Sequence, residues 1–140
     1  MNVEVFVDTH LLYYANTDSP DPRHARAREL VESLWGEPGK AAISVQALQE
    51  LHVNLVRKGG LDPSASWRRV SDYLAWKVID NDRSLLASAF DVQTRWKLSY
   101  WDSLIVAAAQ RSGAPVLWSE DLADGRGYDD LRVLNPLSAR

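Results

Sequence analysis

The sequence predicts an α/β domain with a parallel sheet and helices on both faces. Two observations carry that expectation. Short runs rich in valine or alanine (NVEVFVD, AAISV, APVLW) alternate with longer segments of helical character. Strands separated by helices pair in parallel through crossover connections. The chain has 140 residues with no linker, repeat or low-complexity tract, so residues 1–140 are expected to form one domain.

The elements follow in order. NVEVFVD reads as a first strand ending at Asp8, and THLLYYAN as a short helix. DSPDPRHARARELVESLWGEPG opens on Pro and Asp turn signals and continues as an amphipathic helix, with Ala25, Leu30, Val31 and Leu34 on its apolar side. Pro38 and Gly39 stop it. AAISV is a second strand, and Ser44 caps a helix from about Val45 to Lys58 that Gly59 and Gly60 end. Asp62 and Pro63 open the next helix as cap and first residue. KVIDND is a third strand, RSLLASAFDVQTRWKL a helix, and SYWDSLIVAAAQRSG an apolar helix closed by Gly113. APVLW is a fourth strand, SEDLADGRGYDD a polar loop, and LRVLNP a fifth strand.

Composition narrows the chemistry. There is no cysteine, which removes disulfides, thiolate zinc sites and cysteine nucleophiles. His10, His24 and His52 are spaced unlike any metal motif. The amino terminus is not a signal peptide and the run Leu104–Ala109 is too short to span a bilayer, so a soluble cytoplasmic protein is expected. A net charge of −3 does not indicate a strongly basic nucleic-acid binder. It leaves nucleic acid open as a substrate, because carboxylates loaded with divalent cations reverse the local field.

Acidic residues fall at places of interest. Ligands of an open parallel sheet bind outside the carboxyl ends of the strands. Asp8 ends the first strand, and Glu120 and Asp121 follow the fourth. Each has an ordinary reading as well. Asp8 is placed to cap a helix. Asp102 fits a capping box with Ser99, and suits the helix dipole. Glu50 lies off the Leu48, Leu51 and Leu55 stripe, on a face shared with Asn54 and Arg57, where solvent accounts for it. The loop acids Glu120, Asp121, Asp124, Asp129 and Asp130 suit solvation. Gathered at one edge, such carboxylates would repel unless a divalent cation sat among them, and hard oxygen ligands suit Mg2+ or Mn2+. Ions of that kind activate water for phosphodiester hydrolysis.

Four segments carry a family resemblance. VFVDTHLLYYA, SVQALQELHVNLVRK, LSYWDSLIVAAA and VLWSEDLADGRGYDDLRVLNP resemble, in order, the motif blocks of PIN-domain ribonucleases, especially the VapC toxins of bacterial toxin–antitoxin pairs. The resemblance covers essentially the whole chain. It implies a three-layer α/β/α sandwich with a short five-stranded parallel sheet. It implies a Mg2+- or Mn2+-dependent endoribonuclease leaving 5′-phosphate and 3′-hydroxyl ends. It maps the metal-holding and catalytic acids onto Asp8, Glu50, Asp102 and Asp121, with Asp124 in reserve and Glu120 also competing for the last role. Thr9 and Ser119 match small hydroxyl positions expected to orient ligands or water. The implied partners are RNA, a second copy of the chain and an antitoxin protein.

Cations for RNA are available in Arg57, Lys58, Arg68, Arg69, Arg83, Arg95, Lys97 and Arg111, none of which pattern singles out. Six tryptophans divide between core and interface, with Trp101 also placed to stack on a base. Two other classes compete. A receiver-like or phosphatase-like domain would transfer phosphate through an aspartate, but VDTH lacks a second aspartate two residues on and no lysine follows PVLWSED. A non-catalytic binding module would keep the acids only as caps. Finally, a helix and strand that pass through the core and return would make Asp102 the nearest partner of Asp121.

Overall fold

A computed structural model describes residues 2–138. The strands are β1 (Val5–Val7), β2 (Ala41–Ser44), β3 (Lys77–Ile79), β4 (Val116–Trp118), β5 (Gly127–Tyr128) and β6 (Leu131–Leu134). The helices are α1 (Thr9–Ala15), α2 (Pro22–Trp35), α3 (Val45–Arg57), α4 (Pro63–Asp72), α5 (Arg83–Trp96) and α6 (Tyr100–Ser112). Single 3-10 turns at Pro38–Lys40 and Tyr73–Ala75 lead into β2 and β3.

The sheet order is β3-β2-β1-β4-β6-β5. All pairings are parallel except β5 with β6, which run antiparallel. The expected five-stranded parallel sheet is therefore present, with one addition. The loop SEDLADGRGYDD is not wholly irregular. Its Gly127–Tyr128 end folds back as a two-residue edge strand, turned by Asp129 at φ 56°. Asp is one of the few residues that accept this left-handed conformation.

Period-two alternation sorts the core into two layers. Val5, Val7, Ala41 and Ile43 face one side, where Leu11 and Leu12 of α1, Val31 of α2, Leu48, Leu51 and Leu55 of α3 and Val70 of α4 cover them. Phe6 and Ala42 face the other, under Leu85, Ala89 and Val92 of α5 and Leu104–Ala109 of α6. Strands buried on both faces need apolar residues at every position, which is why β1 reads as a continuous hydrophobic run. On α2 the buried alanine is Ala27 rather than Ala25, which is exposed; Ala27 and Val31 are four apart and share one face. Among the tryptophans only Trp76 is fully buried, while Trp67 and Trp101 stand in solvent.

Local signals place the helix ends as expected. Ser44, Asp62 and Asp82 each accept a backbone N–H of the helix they precede. Gly113 closes α6 at φ 81°, in the conformation that glycine adopts without strain. Gly59 answers a different need, since a Cβ there would lie 2.7 Å from the Leu55 carbonyl oxygen. Among the described residues no helix is long and apolar enough to cross a membrane.

This topology creates one crevice. From β1 the chain builds outward through β2 to β3, then returns to lay β4 on the other side of β1. The strand order reverses between β1 and β4, and ligands of open α/β sheets bind outside the carboxyl ends at such a point. Asp8 follows the last residue of β1, and Ser119 the last of β4.

Candidate active site

Asp8 is placed by two backbone constraints. Its amide donates to the Trp118 carbonyl at 3.0 Å, continuing the β1–β4 ladder by one rung. Its extended backbone then turns the chain into α1, with Oδ1 accepting from Thr9 N at 2.7 Å. The cap reading of Asp8 is thus correct and leaves Oδ2 for another task. That oxygen accepts from the Ser119 hydroxyl at 2.9 Å.

Asp8 is 7% exposed. Burial pushes its carboxyl up to about 6, and the nearby charge of Asp121 adds to the rise, against the pull of the Thr9 and Ser119 hydrogen bonds and of His10. A carboxylate held in this way gains from a cation.

Thr9 joins Asp8 to the second acid. While its amide serves Asp8, its hydroxyl donates to Glu50 Oε2 at 3.1 Å. Glu50 Oε1 accepts from Gln46 Nε2 at 2.8 Å. Gln46 and Glu50 are one helical turn apart on α3, which Ser44 starts at the carboxyl end of β2. Glu50 is exposed, as its polar face predicted, but it is tethered rather than free.

Ser119 links Asp8 to the Asp121 turn, through backbone amides rather than through the Asp121 carboxylate. Its hydroxyl oxygen accepts the amides of Asp121 at 3.2 Å and Leu122 at 3.3 Å while donating to Asp8. The Asp121 carboxylate lies 2.8 Å from His10 Nδ1, an ion-pair distance that lacks hydrogen-bond alignment. His10 is thus its ion-pair neighbour, and the Asp121 charge is felt at Asp8. Glu120 is engaged elsewhere, by Tyr14 and Arg23. The side chain of Asp124 accepts the Asn135 amide at 3.0 Å, tying the loop to the end of β6.

Asp102 stands apart from this network. Ser99 Oγ accepts its amide at 3.1 Å, as the capping box predicts, but no bond returns from the carboxylate to Ser99 N among the described residues. The box is half made, and among the described residues the carboxylate makes no hydrogen bond or ion pair. Its edge of the sheet follows from the other end of the helix. Lys77 Nζ donates to the Ser112 carbonyl at 3.1 Å, which sets the end of α6 beside the start of β3. The start of α6 therefore projects toward the carboxyl ends of the strands.

The arrangement is a set of pairwise links. Among the described residues no three or more His, Asp or Glu side chains converge as a ready-made metal site. The donor chemistry nevertheless fits Mg2+ or Mn2+: hard carboxylate oxygens, one of them on a desolvated acid. The buried Gln46 Oε1, which has no hydrogen-bond partner among the described residues, adds an oxygen acceptor beside Glu50. Pattern reading had missed Gln46, His10, Tyr14 and Arg23. The i, i+4 spacing of Gln46 and Glu50 was the one available signal.

Comparison with known proteins identifies the fold that carries these residues. The PIN domain family profile matches residues 5–123. No curated protein matches the chain in sequence. Solved structures do match in fold. A toxin–antitoxin complex from Klebsiella pneumoniae shares 19% identity over 95% of this chain and 98% of that chain, at a TM-score of 0.70. Mycobacterium tuberculosis VapC20, described as a toxin cleaving the sarcin-ricin loop, shares 22% over 84% and 92%, at 0.65. VapBC2 from Rickettsia felis, bound to a promoter DNA fragment, shares 18% over 94% and 97%, at 0.65.

Proposed function

Since the chain belongs to the PIN-domain family across residues 5–123, we propose that it is a metal-dependent endoribonuclease acting as the toxin of a VapBC-type pair. The observation that carries this reading is the frame around Asp8. One hydroxyl, Thr9, ties it to Glu50, and another, Ser119, ties it to the Asp121 turn. Asp8 and Ser119 stand at the carboxyl ends of β1 and β4, where the strand order reverses.

Asp8, Asp102 and Asp121, with Glu50 completing the set, would hold Mg2+ or Mn2+, which would supply charge for the phosphate and acidity for water. The chain's own residues do the rest. Thr9 and Gln46 hold the Glu50 carboxylate open at the surface, where it takes a proton from the attacking water. The water oxygen adds to phosphorus as the bond to the 3′ oxygen breaks; the 3′ oxygen takes a proton from solvent and Glu50 returns its own to solvent, leaving a 3′-hydroxyl and a 5′-phosphate. Arg57, Lys58, Arg68, Arg83 and Lys97, which form no ion pair among the described residues, are open to RNA phosphates; Arg95 and Arg111 are taken by Asp129 and Asp82.

The partners proposed are a cognate antitoxin and a second copy of the chain. The Klebsiella structure is a toxin–antitoxin complex, and this surface leaves large apolar side chains uncovered, Leu86 and Phe90 on α5 among them.

The sheet order speaks against a receiver-like phosphotransfer domain. Such domains order their strands 2-1-3-4-5, whereas here β4 and not β3 flanks β1. A non-catalytic module is separated by experiment. RNA should be cut in Mn2+ or Mg2+, not in chelator, and Asp8→Asn should abolish cutting while remaining folded. Full cleavage by Asp8→Asn under controlled metal would overturn the assignment. Sequencing the RNA ends after pulsed expression identifies the target.

A further inference from the structure

Glu120, like Asp8 and Glu50, has both carboxylate oxygens held, but its partners come from α1 and α2 and from none of the site's other residues. Tyr14 Oη donates to its Oε1 at 2.7 Å and Arg23 Nη1 to its Oε2 at 3.0 Å. Arg23 is itself anchored. Asp21, the cap of α2, accepts from its Nε at 3.0 Å and Nη2 at 2.6 Å, and the guanidinium lies 4.8 Å over the Tyr14 ring. Burial, and then the bond to Glu120, push the Tyr14 phenol up to about 12, so it stays a donor at neutral pH. A residue from α1 and one from α2 thus grip the residue between Ser119 and Asp121.

We propose that Tyr14 and Arg23 are positioning residues for the acidic site: by holding both oxygens of Glu120, they set the Ser119–Asp121 turn so that Asp121, not Glu120, is presented to Asp8. The turn is fixed at three consecutive residues, Ser119 by Asp8, Glu120 by the clamp and Asp121 by His10. Without the clamp the turn is left to the Ser119 amide on the Leu134 carbonyl and to two contacts that involve the site's own carboxylates, Ser119 with Asp8 and Asp121 with His10. Glu120 would then be a fifth acid beside the four of the site, competing for a cation. Partners of this kind around a metal site commonly change affinity about 10-fold or more when removed. The inference rests on the metal-dependent reading above, so its test includes a measurement made without metal.

Tyr14→Phe and the double variant Tyr14→Phe/Arg23→Gln are compared with the parent protein and with Arg26→Ala, which breaks only an exposed pair with Glu29. Amide hydrogen exchange of Asp121 and Leu122 is measured without metal, and Mn2+ affinity by calorimetry. Positioning predicts exchange at least about tenfold faster at those two amides, and Mn2+ bound about 10-fold more weakly by the double variant, with Arg26→Ala unchanged. The direction is diagnostic. Losing Arg23 leaves the site more negative, which by charge alone would tighten cation binding. Unchanged exchange overturns the proposal whatever the metal does. Faster exchange with unaltered Mn2+ affinity also overturns it, leaving a merely structural clamp. A parent protein that binds no Mn2+ defeats the metal-dependent reading instead, and the exchange result alone then decides whether the clamp sets the turn.

Discussion

The Ser119 hydroxyl donates to Asp8 Oδ2 at 2.9 Å, from a residue 111 positions away in the chain. The same oxygen accepts the amides of Asp121 and Leu122. One buried atom therefore settles how the end of β4 meets the end of β1, and through it where the last acid of the site stands.

Replacing Ser119 with alanine removes that donor and orphans two amides. A buried polar group left unpaired costs about 1–3 kcal/mol. Ser119→Ala is expected to lower unfolding stability by that amount in urea. It should also raise the Asp8 titration midpoint above about 6, because the hydroxyl is one of the groups holding it down. Carboxyl-labelled NMR reads the second effect, and a midpoint that stayed put would separate Ser119 from Asp8.

Asp8 itself makes stability depend on pH. Its folded carboxyl titrates near 6, against an ordinary value of 3.8. The folded state therefore holds the proton more tightly than the unfolded chain. The resulting stability is complete below about pH 4 and is lost as pH rises through 6, a difference of up to about 3 kcal/mol. Asp8→Asn keeps an acceptor for Thr9 N and removes the buried charge. In metal-free buffer it should be more stable than the parent chain at pH 7 and no more stable at pH 4. Saturating Mn2+ should narrow the gap at pH 7 by stabilising only the parent chain. Equal melting temperatures at pH 7 without metal would contradict the burial of Asp8 as a charge.

How far these features could be read from sequence depends on the range of the contacts. The strand-end position of Asp8, the cap by Ser44 and the stop at Gly113 are local, and composition plus spacing reveals them. The β5 strand escaped notice because two residues carry no periodicity; only pairing with β6 defines it. Glu50 looked solvated because a single helix face says nothing of Thr9, 41 positions earlier. The family resemblance supplied that residue where periodicity did not. Glu120 and Asp121 look alike in a loop full of acids, and only the far side chains of Tyr14, Arg23 and His10 tell them apart.

The α5 face offers a test of self-association. Leu86 and Phe90 are 57% and 62% exposed and sit four residues apart, so they form one apolar stripe. If that stripe is the contact with a second copy, Phe90→Asp should shift a dimer to monomer in sedimentation velocity with little change in melting temperature. A parent chain that stays monomeric at high concentration would count against the homodimer altogether.

Asp102 separates capping from chemistry. The cap of α6 is made by Ser99, whose hydroxyl accepts the Asp102 amide, while the Asp102 carboxylate returns no bond. Ser99→Ala should thus cost the helix about 1 kcal/mol, the usual worth of such a cap, and leave most RNA cleavage intact. Asp102→Asn should do the reverse. It gives up only the interaction of a charge with the helix start, about 0.3–1 kcal/mol, because the amide stays bonded. Yet it removes one of the oxygens on which a cation depends, so cleavage and Mn2+ affinity should both fall sharply. Chemical denaturation beside a cleavage assay reads the two variants together. If Asp102→Asn cuts RNA as well as the parent chain, the third acid is a cap-region charge and the site must be built from Asp8, Glu50 and Asp121 alone.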